Sequence, residues 1–190
     1  MSFIPKEHRQ ARQQDIEEGL IRSGVPRRWV HSALPDSFSA VKQWITQEGF
    51  RSQGGIVGVC VARLRPGTGY NVYRQVFDQI ARGYFLRGVS IYVMPTAQLA
   101  DILREDMDSP FRLDLEARDC VFLHDFYRQG MAMPYTPREA ETLMTWITRR
   151  FREGRGVSLA TERPILECED WWPPGFLVQA DEVNFQVTVE

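Results

Sequence analysis

No apolar run in this sequence approaches the roughly 18 residues that cross a bilayer. The opening MSFIPKEHRQARQQ has no apolar signal core either, so a cytoplasmic location is the expectation. Cysteine is scarce, three in 190 residues, and no spacing suggests a disulfide framework or a metal site. Cys60 and Cys120 fall within apolar runs, where a cysteine acts as a small core residue, and Cys168 stands alone. Charge of one sign is also lacking: 23 Lys and Arg against 25 Asp and Glu leave a net charge of −2. No whole-molecule field draws the chain to nucleic acid or an anionic membrane, so any basic surface must be local. What the chain does have is apolar residue, 43% of it, enough for a packed core in one domain of ordinary size.

The stretch Gly55 to Asn71, GIVGVCVARLRPGTGYN, organises the rest. Ile56 to Ala62 has the length and Val content of a buried parallel strand. A turn follows at Pro66-Gly67-Thr68-Gly69, and then a helical pattern with Val72, Val76, Phe77, Ile80 and Ala81 apolar. Strand, Gly-rich turn and helix are the layout of a phosphate-binding loop, in which backbone N–H groups and the helix N-terminus cradle phosphates. The working pattern is G-x-x-x-x-G-K-[ST]. Here Leu64 stands at the first Gly, Tyr70 at the Lys and Asn71 at the Ser/Thr. The frame of a nucleotide site is present without its chemistry.

Elsewhere the chain alternates strands and helices. Residues 5–23 form a weakly amphipathic helix with Ile16, Leu20 and Ile21 on it, either packed on its own domain or tethering a partner. An irregular stretch, 24–38, precedes a helix over 39–50 with Val41, Trp44 and Ile45 on one face. Gly83, inside the helix after the turn, costs about 1 kcal/mol against Ala, so its neighbours want it small. Strands are predicted at Val89–Met94, Asp119–Leu123, Val157–Ala160 and Val183–Val189. A helix starts at Pro95-Thr96. Thr136-Pro137-Arg138-Glu139 is a capping box with Pro at the first helical position, opening a helix through Ala140, Leu143, Met144, Ile147 and Phe151. Residues 162–175 hold three prolines and two tryptophans and show no helix period. Strands separated by helices give βαβ units and a parallel sheet covered on both faces.

Four segments resemble the bacterial replicative-helicase loaders and the related insertion-sequence transposition helpers, a branch of the AAA+ ATPases. Gly24-Val25-Pro26-Arg27-Arg28-Trp29 is similar to that branch's G-[IV]-P-x-[RK]-[YW] leader. Pro66-Gly67-Thr68-Gly69 matches its phosphate loop. Residues 119–126, DCVFLHDF, resemble its Walker B strand, which ends in Asp-Asp. Residues 157–163, VSLATER, sit where the branch has a sensor strand ending T-T-N-R. The resemblance covers residues 24–163. It implies a three-layer P-loop NTPase-like α/β domain, the AAA+ core, with a mainly parallel five-stranded sheet over residues 24–190, an N-terminal helix or tether over 1–23, and no lid subdomain.

The departures from the branch all concern chemistry. Tyr70 carries no cation where a Lys neutralises phosphates, and Asn71 offers only an amide oxygen where a hydroxyl ligates Mg²⁺. His124 replaces the first Walker B Asp, ahead of Asp125, and imidazole suits Mg²⁺ poorly. Glu162 replaces the sensor Asn and would repel a γ-phosphate. Where the branch places an arginine that reaches a neighbouring subunit, residues 167–174 are acidic and contain Trp171 and Trp172. The expectation is a non-catalytic loader homologue, with no catalytic residue, no metal and no bound cofactor. It would bind a protein, such as a replicative helicase or a genuine loader, in DNA replication or recombination. Ile16, Leu20, Trp171 and Trp172 are the candidate partner contacts, the two tryptophans being equally suited to plug the space that the missing lid leaves. One alternative is a weak ATP-binding protein or ATPase in which Arg63 or Arg65 supplies the missing charge beside an otherwise empty loop. Another is a single-stranded DNA accessory protein using Arg149, Arg150, Arg152 and Arg155, with Trp146 for stacking.

Overall fold

Val59–Arg63, the strand predicted to feed the phosphate loop, lies inside a five-stranded sheet with a parallel neighbour on each side. The computed structural model describes residues 6–63 and 70–189, and the side chains of 11–63 and 72–189. The order is α1 (Lys6–Arg22), α2 (Ser39–Thr46), a small hairpin of β1 (Arg51–Ser52) and β2 (Gly55–Ile56), β3 (Val59–Arg63), α3 (Tyr70–Leu86), β4 (Ile91–Pro95), α4 (Thr96–Arg104), α5 (Pro110–Ala117), β5 (Cys120–Tyr127), α6 (Pro137–Arg152), β6 (Gly156–Thr161), α7 (Pro174–Val183) and β7 (Phe185–Val189). The sheet runs β4-β5-β6-β3-β7, and every pair in it is parallel. From β3 the chain crosses to the far edge at β4, returns through β5 and β6, and lays β7 on the other side of β3. The order reverses at β3, and open α/β sheets bind ligands at the carboxyl ends of strands beside such a reversal.

Strand alternation divides the interior into two cores. Val59, Val61, Ile91, Val93 and Phe122 face α1, α2 and α3, where Phe77, Ile80 and Tyr84 are fully buried. Cys60, Val121, Leu123 and Leu159 face α4, α6 and α7. Apolar side chains at positions 76, 77, 80, 81 and 84 make the buried stripe of α3. Gly83 sits on that helix where an added Cβ would come within 3.1 Å of Ile45 Cδ1, which is why it is small. At α6 the capping box forms as predicted: Thr136 Oγ1 accepts from Glu139 N–H, and the Glu139 carboxylate accepts from Thr136 N–H.

The leader segment closes part of one sheet edge. Val93 N–H on the edge strand β4 donates to the Ser23 carbonyl at 2.7 Å. Gly24 then turns away at φ +89, and an added Cβ would stand 2.0 Å from the Val93 oxygen, so only glycine fits.

Three expectations need correction. The helix α1 packs on α3, with Leu20 fully buried and Gly19 against the Phe85 ring, so Leu20 is core rather than a surface for a partner; Ile16 is half-buried against the same core. Residues 162–175 are not all irregular. Pro173 and Pro174 are the cap and first residue of α7, whose Phe176, Leu177 and Ala180 are buried. Trp171 and Trp172, equally suited by sequence to an exposed anchor or to filling space against the core, are 6% and 1% exposed, so the anchor reading falls. No helix of the described residues is long and apolar enough to cross a membrane.

Candidate functional site

The carboxyl ends of β3, β5 and β6 meet beside the start of α3. Arg63 closes β3, His124 and Asp125 lie in β5, and Glu162 follows β6. Residues 64–69, which include Arg65, Pro66, Gly67, Thr68 and Gly69, lie outside the described residues, so the phosphate-loop reading is not tested there. Tyr70 and Asn71 are the first two residues of α3, and their side chains are likewise outside.

At this end β5 departs from regular pairing. Leu123 pairs with Leu159 and Tyr127 with Thr161, so β5 places three residues where β6 has one. Such a bulge re-aims side chains and is common beside functional sites. Asp125 takes up the bend at φ +56, a left-handed conformation that Asp tolerates better than most residues. The bulge brings the Asp125 carboxylate to 2.8 Å from Nδ1 of His124. With a carboxylate accepting there, the neutral ring carries its proton on Nδ1. Burial pushes the His124 pKa down, and the positive charge of Arg74 pushes the same way, while Asp125 pulls it up. The His124 carbonyl accepts from Thr96 Oγ1 at 3.0 Å, which ties the bulge to the first turn of α4.

The charged groups around this point pair with one another. Arg63 Nη1 is 3.7 Å from Glu162 Oε1, and Glu162 Oε2 accepts from Gln129 N–H at 2.9 Å. Arg63, one of the two arginines considered as a substitute phosphate cation, is thus ion-paired with Glu162, and each is less than one-fifth exposed. On α3, Nε of Arg74 donates to both oxygens of Asp78 at 3.0 Å. Asp78 is fully buried, and burial outweighs Arg74 to push its carboxyl up to about 6. Sequence reasoning passed over Arg74 and Asp78. The signal was available in their i, i+4 spacing one turn beyond the loop.

No protein-family model matches the sequence, and no curated protein matches it significantly. Solved structures do match it in three dimensions. The DnaC helicase loader superposes with a TM-score of 0.63 over 84% of this chain and 94% of that one, at 13% identity. DnaI gives 0.60 over 87% and 91%, at 10% identity. AMPPCP-bound DnaA from Aquifex aeolicus gives 0.57 over 81% of this chain at 13% identity. The fold is that of an AAA+ core. The chain spans 45% of that DnaA, less than half its length.

In the AAA+ frame, Mg-nucleotide is the implied cofactor, and the described residues do not suit it. At the carboxyl end of β5 the carboxylate of Asp125 accepts from the imidazole of His124, a poor partner for Mg²⁺. Among the described residues no cluster of three His, Cys, Asp or Glu could hold a metal ion.

The arginine cluster is corrected too. Arg150 is fully buried, donating to the Arg118 carbonyl at 2.7 Å, and burial lowers its pKa to about 10. Arg149 Nη2 is 2.5 Å from Glu116, and Arg155 donates to the Glu116 carbonyl. Trp146 is 4% exposed with Nε1 donating to Glu116 at 2.9 Å, so it cannot stack on a base. Of the four arginines, Arg152 is exposed, while the side chains of Arg149 and Arg155 are 42% and 41% exposed and already paired with acidic neighbours.

Proposed function

We propose that this chain is a non-catalytic AAA+-like module that binds a protein partner in DNA replication or recombination, with a replicative helicase or a genuine AAA+ loader as the partner class. The observation that carries the reading is the internal pairing of charged groups at the strand ends and on the neighbouring helix α3. Arg63 is bonded to Glu162, His124 to Asp125 and Arg74 to Asp78. Phosphoryl transfer relies on positioned cations and metal ligands to stabilise charge as it develops. Groups already neutralised by one another supply little of that. The choice of pathway is supported by the names of the structural neighbours, a helicase loader and a replication initiator. Thermal unfolding with and without Mg-ATP tests the reading, with no shift expected. A real site at 100-fold excess over its Kd would add about 2.7 kcal/mol, several degrees for a domain of this size, and that saturating shift would overturn it.

A further inference from the structure

The outer face of α6 carries a regular stripe. Arg138, Thr142, Thr145, Arg149 and Arg152 follow one another at steps of four, three, four and three residues, so they stack along one side of the helix. Leu143, Ile147 and Arg150, all fully buried, take the opposite side. The stripe is exposed throughout except at Arg149, which is half-buried. Two cavities flank the helix. One, of about 360 Å³, lies against α4 and α5, where Leu103 and Arg112 line it together with Arg138, Thr142, Thr145 and Arg149. The other, of about 630 Å³, lies against α7, where Gly175, Phe176 and Gln179 line it together with Thr145, Arg149 and Arg152. Thr145 and Arg149 border both, so the stripe and its two cavities form one continuous surface.

Charge is unanswered at both ends of this surface. Among the described residues no carboxylate pairs with Arg138 or Arg152. Arg149, between them, is held by Glu116. At 1.5 Å of rise per residue the two unpaired arginines stand about 21 Å apart along the helix. Thr142 and Thr145 between them are short and neutral, so a partner helix can come close there. The neighbouring carboxylates are engaged elsewhere: Glu139 pairs with Arg104, and Glu153 with Arg149 and Arg155. Glu141 stands on the flank of the stripe, facing the α4–α5 cavity.

We propose that this face of α6 docks an acidic helix of a protein partner. Carboxylates toward the two ends of that helix meet Arg138 and Arg152, and small residues in its middle lie over Thr142 and Thr145. The spacing of charge decides against the other occupants. Nucleic acid gains affinity from many closely spaced phosphate contacts, whereas here two unpaired cations stand far apart with Glu141 beside them. Two copies set stripe to stripe, in either direction, would oppose arginine to arginine. The proposal deepens the reading of the chain as a protein-binding module and rests on it. Its test uses no nucleotide, so an ATP effect and a failure here are separate results.

The probe is a labelled Ala/Glu peptide of about 18 residues, long enough as a helix to span both arginines, with its glutamates on one side. It is titrated with the full chain and read by fluorescence anisotropy. Binding is expected to weaken about tenfold in Arg138→Glu/Arg152→Glu. A similar loss is expected in Thr145→Trp, which changes no charge and fills the middle of the stripe. Both variants keep the parent melting temperature, since the positions are exposed and a glutamate favours the first turn of α6 about as much as it disfavours the last. Arg12→Glu/Arg22→Glu, at exposed positions of α1, binds as the parent does. Added salt weakens binding, and an Ala/Lys peptide of the same pattern fails to bind. Absence of binding, parent-like binding by either α6 variant, an equal loss in the α1 variant, or equal binding of the Ala/Lys peptide overturns the proposal. So does parent self-association that Arg138→Glu/Arg152→Glu abolishes, which would make the occupant a second copy, or tight binding of single-stranded DNA to the same arginines.

Discussion

The indole of Trp172 lies flat on the ring of Phe126, with centroids 4.4 Å apart, planes 6° from parallel, and Nε1 donating to the Phe126 carbonyl at 3.1 Å. Phe126 directly follows the left-handed Asp125, so this stack presses on the bulge that aims His124. Trp172→Ala is expected to cost about 3–5 kcal/mol, the range for emptying a large buried aromatic site. Urea unfolding measures that loss. The same variant loosens the bulge, so the His124 pKa should move back toward 6.5, read by NMR titration. A small stability change with an unmoved His124 would show that the tryptophan does not support the site.

Asp78 gives the chain a pH dependence of defined sign. Burial raises its folded pKa from 3.8 to about 6, so the folded state binds a proton more tightly than the unfolded chain does. The contribution of this group is therefore greatest below about pH 4 and falls as pH rises toward about 6. Asp78→Asn should remove that slope, seen as a wild-type-minus-variant stability curve that declines across this window and then levels. A flat difference curve would mean that Arg74 holds the carboxylate ionised throughout.

Rebuilding the loop should not rebuild an enzyme. Tyr70→Lys with Asn71→Thr restores P-G-T-G-K-T and gives phosphates a cation. Tighter ATP binding than in the parent is expected. Hydrolysis should stay at background, because Asp125 remains bonded to the His124 imidazole and the two substitutions add no arginine finger, a group worth about 10³–10⁵ in rate elsewhere. Phosphate release above a Lys-less control that also depends on Asp125 would contradict this.

Single-stranded DNA should bind weakly at most. Non-specific binding needs several phosphate contacts, and of the arginine cluster Arg150 is buried while Arg149 and Arg155 are already paired with acidic neighbours. Anisotropy at about 150 mM salt should show no sub-micromolar affinity. Arg150→Ala should instead lower stability by about 2–4 kcal/mol, since it opens a cavity and leaves the Arg118 carbonyl without its donor. DNA binding lost on Arg149→Ala with Arg152→Ala would restore the cluster as a binding site.

Much of the fold was legible because local chemistry carried it. The capping box at Thr136–Glu139 and the Val-rich strands announce themselves within a few residues. The helix α5 was missed between polar stretches. The helix α7 was missed because Pro173-Pro174 reads as a breaker until its role as cap and first turn is seen. The tryptophans could not be placed from sequence for a different reason. Their partners, Phe126 and the Met131 carbonyl, lie about 40 residues upstream, a distance that sequence periodicity does not span. The same limit hid the Arg63–Glu162 pair, whose members come together only because β3 and β6 are neighbours.

The bond from Val93 to Ser23 has a consequence for handling the protein. An outer strand with open donors and acceptors is a template for intermolecular pairing, and natural sheets blunt such edges. Here the leader blunts it, which a charged surface side chain could not do at a main-chain N–H. Shortened versions that begin after residue 24 lose this cover together with the core contact of Leu20, and should clump through β4 at concentrations the intact chain tolerates.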